Sequence, residues 1–229
     1  MIIAIDGPSG SGKSSISKLV AARLGMQVLD TGAMYRCITL KAMQHNTDPS
    51  DEKTLARIAS ETELEFVAQE GEILPSTIVM DGVDVTRDIR SAVVDGQVSA
   101  ISAIPAVREA LVKLQRKVGL AGDYVVEGRD IGTVVFPGAN VKIFLTASAQ
   151  ERARRRVKQN SQRGIGSTNF EEVLTAIEKR DQIDSSRDTA PLTQAPDALF
   201  IDSSDMTING VVDAIVAYAA EHGFQRFNI

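Results

Sequence analysis

Between Gly7 and Ser14 the chain reads Gly-Pro-Ser-Gly-Ser-Gly-Lys-Ser, a G-x-x-x-x-G-K-[ST] spacing in which glycine, lysine and hydroxyl each have a separate task. Gly7, Gly10 and Gly12 free the backbone for positive φ, so that successive N–H groups turn into one concavity, with Pro8, Ser9, Ser11 and Ser15 completing the binding set. A helix starting after such a loop adds its N-terminal partial positive charge, and the combination suits a polyphosphate anion. Lys13 is expected to reach the β- and γ-phosphates of such an anion, and Ser14 to give its hydroxyl to Mg²⁺.

A second reactive stretch is Tyr124-Val-Val-Glu-Gly-Arg-Asp130. Glu127 closes an apolar strand in a Walker-B-like place, where an acid can hold the magnesium shell. Arg129 and Asp130 just beyond it can bind the phosphate and base of a second substrate; the plainer reading is a turn with a salt-bridged pair. Arg152, Arg154, Arg155, Arg156 and Lys158 crowd one predicted helix. Arg152, Arg155 and Arg156, at i, i+3 and i+4, share a face that could clamp phosphates, whereas Arg154 reads as solvated. Further on, Arg180, Asp184 and Arg187 continue the inward stripe of Phe170, Val173, Leu174 and Ile177, so these charges are expected to face a cleft rather than solvent.

The elements that must position these residues follow from periodicity and punctuation. Ile2–Ile5 is an apolar run suited to a strand covered on both faces. Ile16, Leu19, Val20 and Leu24 mark a helix stopped by Gly25. Residues 26–30 read as a second strand, after which Thr31 is expected to cap a helix carrying Met34, Ile38 and Ala42 inward. Tyr35 and Arg36 ride its first turns, beyond the carboxyl end of a strand, where parallel sheets bind ligands. A short helix over 51–60 precedes residues 62–90, which read as a small inserted antiparallel sheet turning at Asp81-Gly82. Ser99 lies in a stretch of small residues, and Pro105 opens a helix with Val107, Leu111, Leu114 and Val118 inward and Arg108 beside them. Capping boxes at Ser148/Glu151 and Thr168/Glu171 start two more helices. Between them residues 157–167 are polar and contain Gly164 and Gly166, as expected of a mobile lid. Residues 198–201 read as a last strand, and Ile208, Val211, Val212, Ile215, Val216 and Ala219 as the inward face of a closing helix.

Composition narrows the function. With 229 residues and 43% hydrophobic content, one α/β domain with appendages is expected. Thirty acidic against 25 basic residues, a net charge of -5, argue against nucleic acid or an anionic membrane as partner. Cys37 is the single cysteine, so an intrachain disulfide is impossible and packing is its expected role. No apolar stretch approaches the ~20 residues that span a bilayer, and a cytoplasmic protein is expected.

Five segments together resemble the bacterial cytidylate kinases, within the nucleoside monophosphate kinase family of P-loop kinases. They are residues 7–14, Asp30-Thr-Gly-Ala-Met-Tyr-Arg36, Val107-Arg-Glu-Ala-Leu111, residues 127–137 beginning Glu-Gly-Arg-Asp, and Arg180-Asp-x-x-Asp-x-x-Arg187. The resemblance covers nearly the whole chain. It implies a five-stranded parallel sheet flanked by helices, an acceptor-binding region over 31–118 that includes the 62–90 insertion, and a lid over 155–168. It implies transfer from ATP to CMP or dCMP, with UMP or another small acceptor as the alternative, and a monomer. By position, Arg36, Arg129 and Arg180 would hold the acceptor phosphate and Asp184 the ribose, Ser99, Arg108 and Asp130 would read the base, and Thr31 and Tyr35 would line the same site. Lys13, Arg129, Arg156 and Arg187 would serve the transferring phosphate. Glu127 departs from the family pattern, which carries aspartate there. A GTPase-type switch would need an N-K-x-D motif, which the sequence lacks.

Overall fold

The structure is a computed structural model that describes residues 1–68 and 75–224. The chain forms two compact units, Met1–Leu29 with Gly119–Ile229 and Asp30–Val118.

Every residue of β1 (Ile2–Asp6) is buried, which is why the strand reads as a continuous apolar run. The glycine loop leads into α1 (Lys13–Leu24), closed by Gly25 in the left-handed region at φ 70°. Ile16, Val20 and Leu24 face inward as expected, but Leu19 is exposed. Ser17 and Ala21 complete the buried stripe in its place, small side chains that let the helix lie close. The strand β2 (Gln27–Asp30) follows.

In the second unit, α2 (Thr31–Gln44) is capped by Asp30, whose Oδ1 accepts the Ala33 amide at 2.9 Å. Thr31, expected as the cap, is instead the first helical residue; aspartate is the stronger cap and begins the helix one residue earlier. Next come α3 (Glu52–Glu61) and the antiparallel sheet β3 (Leu64–Val67), β4 (Thr77–Met80) and β5 (Val83–Asp84). Asp81 and Gly82 turn β4 into β5 with φ of 51° and 80°, the two left-handed positions that a tight hairpin demands. Within the expected 62–90 insertion, residues 69–74 lie outside the described residues. The sheet packs on α2 through Ala33, Cys37, Ile78, Met80, Val85 and Ile89. Burial pushes the Cys37 thiol up to about 12, consistent with packing as its task. The small-residue stretch around Ser99 is a helix, α4 (Ala92–Ala103), with Val94, Val98 and Ile101 inward. Its alanines, glycine and serines hid an ordinary i, i+4, i+7 stripe. α5 (Pro105–Gly119) opens on its proline as expected.

The first unit resumes with β6 (Tyr124–Gly128), a π-helical turn at Ile131–Val135, β7 (Val141–Thr146), α6 (Ala149–Arg163), α7 (Phe170–Ser186), β8 (Leu199–Asp202) and α8 (Ile208–Glu221). Five strands make a parallel sheet in the order β2-β6-β1-β7-β8. β1 lies central, with Asp6 in register with Gly128 of β6 and Phe144 of β7. The ends of β1 and β6, where the loop and Glu127-Gly-Arg-Asp emerge, are therefore neighbours. α6 and α7 pack through Ala153, Val173 and Ile177, and α1 packs on α8. Ser148 caps α6 as expected, but Asn169 rather than Thr168 caps α7, accepting the Glu172 amide at 3.2 Å. Ile208, expected inward, begins α8 and is exposed. Residues 157–163 of the expected lid are the last turns of α6, and Gly164 ends that helix at φ 64°.

Candidate active site

The glycine loop is shaped by two close approaches. Gly7, at φ 151°, has so little room that a Cβ there would stand 1.9 Å from the Leu145 carbonyl oxygen of β7. Gly10, at φ 79°, lies against the first turn of α6, where an added Cβ would meet the Arg152 Cβ at 3.2 Å. Lys13 is buried, and its Nζ donates to the carbonyls of Gly7 at 2.8 Å and Pro8 at 2.7 Å. Burial holds its ammonium well below the ordinary lysine range; Arg129 beside it adds to the effect, and Glu127 and Asp6 oppose it. A polyphosphate supplies negative charge where burial and Arg129 disfavour the cation, so the lysine and its anion stabilise each other. Ser9 and Ser11 are buried in the loop, while Ser15 donates its amide to the Gly12 carbonyl at 3.1 Å.

Ser14 Oγ donates to Glu127 Oε2 at 2.8 Å. Two oxygen donors meeting beside a phosphate loop fit a hard cation such as Mg²⁺. Among the described residues no cluster of three or more His, Cys, Asp or Glu is placed to hold a metal. Mg²⁺ here would take its other ligands from phosphates and water, as it commonly does.

Beyond β6 the structure gathers Arg129, Asp130, Arg180, Asp184 and Arg187. Asp184 is buried and accepts from Arg129 Nε at 2.9 Å, with Arg180 Nε 4.0 Å from the same oxygen. Burial alone would raise the Asp184 carboxyl, but the charges of Arg129 and Arg180 and the Arg129 hydrogen bond hold it below the usual carboxylate range. Asp130 is equally buried, and Arg187 Nη2 lies 3.8 Å from its Oδ1. Arg187 stands just past the end of α7, where Nε donates to the Ala190 carbonyl at 2.6 Å. The two arginine–carboxylate pairs thus cross between the β6 turn and α7, and the inward charges that periodicity predicted are present.

The arginines of α6 divide differently from the expected clamp. Arg152 is buried and donates to the Ala147 carbonyl at 2.9 Å and the Ser9 carbonyl at 3.0 Å, while pairing with Asp181 of α7 at 2.6 Å. Arg155 donates to the carbonyls of Ser11 at 3.4 Å and Ser203 at 2.6 Å and pairs with Glu151 at 3.0 Å. Both guanidiniums thus brace the loop through its main-chain oxygens. Arg156 Nη1 donates to Gln159 at 3.2 Å, and Arg154 is exposed as expected.

The second unit holds Thr31, Tyr35, Arg36, Ser99 and Arg108. Arg108 is buried, donates to the Ser102 carbonyl at 3.1 Å, and sets its guanidinium 5.4 Å from the Tyr35 ring centroid, a cation–π arrangement. Ser99 lies in the last turns of α4, its carbonyl accepting the Ser102 hydroxyl at 3.0 Å. Arg36 donates to the Ile89 carbonyl at 3.1 Å and pairs with Asp95. Of the acids that pair with Arg36 and Arg152, Asp95 was not singled out in the sequence and Asp181 entered only as a member of the Arg180–Arg187 motif, without a role; the signal was an acid near the inward stripe of each helix.

The chain is similar to known proteins over nearly its whole length. A family model described as cytidylate kinase matches residues 3–221. A cytidylate kinase of Limosilactobacillus reuteri (strain DSM 20016) is 49% identical over 213 residues, 93% of this chain and 92% of the relative. That of Saccharophagus degradans is 46% identical over 219 residues, 96% of each chain. Among solved structures, an uncharacterized protein from Eubacterium ventriosum superposes with a TM-score of 0.51 at 13% identity, covering 96% of this chain and 98% of that one, a likeness of fold alone. The extent and identity of the sequence matches establish that the chain belongs to the cytidylate kinase family.

Proposed function

We infer that the protein transfers the γ-phosphoryl group of ATP to CMP and dCMP, giving ADP with CDP or dCDP. The observation that carries this reading is the second charged cluster: beside a phosphate loop stand two buried carboxylates, each with an arginine against it, Arg129–Asp184 and Arg187–Asp130. A module that only bound ATP would have no need of them.

The attacking group is an oxygen of the acceptor's phosphate, ionised at neutral pH, so no strong base is required. It bonds to the γ-phosphorus as the bond to the β,γ-bridging oxygen breaks, and that oxygen leaves with ADP. Catalysis then reduces to positioning and charge neutralisation, in which Lys13 meets the β- and γ-phosphates and Arg129, Arg156 and Arg187 offset charge on the transferring group. An arginine presented in the transition state contributes about 10³–10⁵ in rate in related transfers. Mg²⁺, held by Ser14 with Glu127 beside it, would supply charge neutralisation at the phosphates. For the acceptor, Arg36, Arg129 and Arg180 would bind phosphate and Asp184 the ribose. Ser99, Arg108 and Asp130 would read the base, with Thr31 and Tyr35 lining the site.

Further parts of the reading are an acceptor region over 31–118, a lid over 155–168 that excludes water, and a monomeric cytoplasmic protein. Among the described residues no helix is long and apolar enough to cross a membrane. The test is ADP release with CMP, dCMP, UMP, AMP and shikimate as acceptors. Turnover concentrated on CMP and dCMP supports the reading, and a preference for UMP would replace it with a uridylate kinase.

A further inference from the structure

Asp6 is a buried carboxylate closing a strand otherwise built of isoleucine and alanine. Its Oδ1 accepts the Ile131 amide and its Oδ2 the Gly132 amide, both at 2.7 Å. These are the first two residues of the π-helical turn that follows Arg129 and Asp130. The opening amides of a helical turn have no partner within it, and here a single carboxylate satisfies two in succession. The turn is also held from the side, since a Cβ on Gly132 would meet Lys142 Cδ at 3.2 Å and Asp6 Oδ2 at 3.4 Å. Burial pushes the Asp6 carboxyl up to about 6, against the two N–H bonds, and Asp130 adds to the rise while Lys13 opposes it. A charge kept at such a cost is explained if its two bonds set a geometry that function requires.

We propose that Asp6 is a positioning residue: by holding both amides of the turn it fixes Arg129 and Asp130 relative to the loop that begins at Gly7, and so governs acceptor binding. This rests on the reading of Arg129 and Asp130 as acceptor-binding residues. Asp6 touches neither reacting group, and its effect passes through the turn.

Two variants probe the contact from opposite sides. Asp6→Asn keeps the volume but offers one acceptor oxygen, and its amide NH₂ confronts the other backbone N–H. Gly132→Ala presses on the same contact from the turn, without altering β1 or the phosphate loop. Both should raise KM for CMP about tenfold to a hundredfold, since displacement of a positioning group by about 1 Å has effects of that size, while KM for ATP stays at the wild-type value. Arg129→Lys and Asp130→Asn, measured alongside, should raise KM for CMP directly. If they do and both contact variants leave it unchanged, the inference fails and the acceptor reading stands. If the direct variants have no effect, the acceptor reading fails and the inference with it. A rise in KM for ATP matching that for CMP in Gly132→Ala overturns the proposal, because the contact would then be holding the phosphate loop. Should Asp6→Asn not fold by circular dichroism, Gly132→Ala decides alone.

Discussion

The Arg152 Nη1 donates to the Ser9 carbonyl at 3.0 Å and lies 2.6 Å from Asp181 Oδ2, so one buried side chain ties the crown of the phosphate loop to α7. Removing one partner of a buried ion pair typically costs about 3–5 kcal/mol, because the remaining charge is left uncompensated. Arg152→Ala should therefore lose roughly that much stability in urea titrations, with KM for ATP rising as the loop relaxes. Arg152→Lys should recover only part of both, since an ammonium cannot offer donors in a fixed fork. Exposed Arg154→Ala serves as control and should leave both measurements unchanged.

Glu127 accepts the Ser14 hydroxyl at 2.8 Å, so neutralising it would weaken the proposed Mg²⁺ site without deleting a hydrogen-bond acceptor. Glu127→Gln should raise the Mg²⁺ concentration for half-maximal activity by about tenfold to a hundredfold, the usual scale for groups orienting a metal ligand. Titrating Mg²⁺ at saturating nucleotide checks this. A rate deficit that extra Mg²⁺ does not relieve would confine Glu127 to orienting Ser14.

Much of this site is legible in the sequence because backbone requirements leave a residue-type signature. Gly7 admits no side chain next to the Leu145 carbonyl, and Arg180 and Asp184 follow from helical period, whereas Arg187 stands in extended backbone just past the end of α7, beyond the reach of that period. Partner choice is less legible. Periodicity puts Arg152 and Arg155 on one inward face, yet only the fold shows that the Ser9, Ser11 and Ser203 carbonyls lie within their reach. α4 escaped notice because small residues blur its stripe, and the caps of α2 and α7 each fell one residue away because adjacent positions both carry cap-forming side chains.

The two buried aspartates shift stability in opposite directions with pH. Asp6 has its carboxyl raised from 3.8 to about 6, so its contribution is fully present below about pH 4 and is lost as pH rises through 6, roughly 3 kcal/mol by linkage. Asp184, held below the usual carboxylate range, contributes above that range and loses its contribution as pH falls through its folded value. Relative to Asp6→Asn, the wild type should thus lose stability between pH about 4 and 6 and run parallel above, as urea denaturation across that range will show. A constant difference from pH 4 to 8 would mean that Asp6 titrates normally.

Recognition of the base turns on the order of donors and acceptors. Cytosine presents an N3 acceptor beside an N4 amino donor, and uracil presents the reverse. If both residues face the base as proposed, Arg108 can only donate and an ionised Asp130 can only accept, so together they suit cytosine and oppose uracil at both positions. Each side chain is buried within its own unit, which would limit how far water could repair a mismatch there. A well-formed polar pair discriminates by about 1–3 kcal/mol, and leaving two buried groups unpaired against uracil raises that further. The wild type should therefore prefer CMP over UMP strongly, and Asp130→Asn should shrink the ratio, because an amide can turn a donor towards uracil O4. Arg187, 3.8 Å from Asp130 Oδ1, is the control: Arg187→Lys should lower kcat for both acceptors while leaving their ratio intact. The measurement is kcat/KM for CMP and UMP in all three proteins, and an unchanged ratio in Asp130→Asn would assign base reading to other residues.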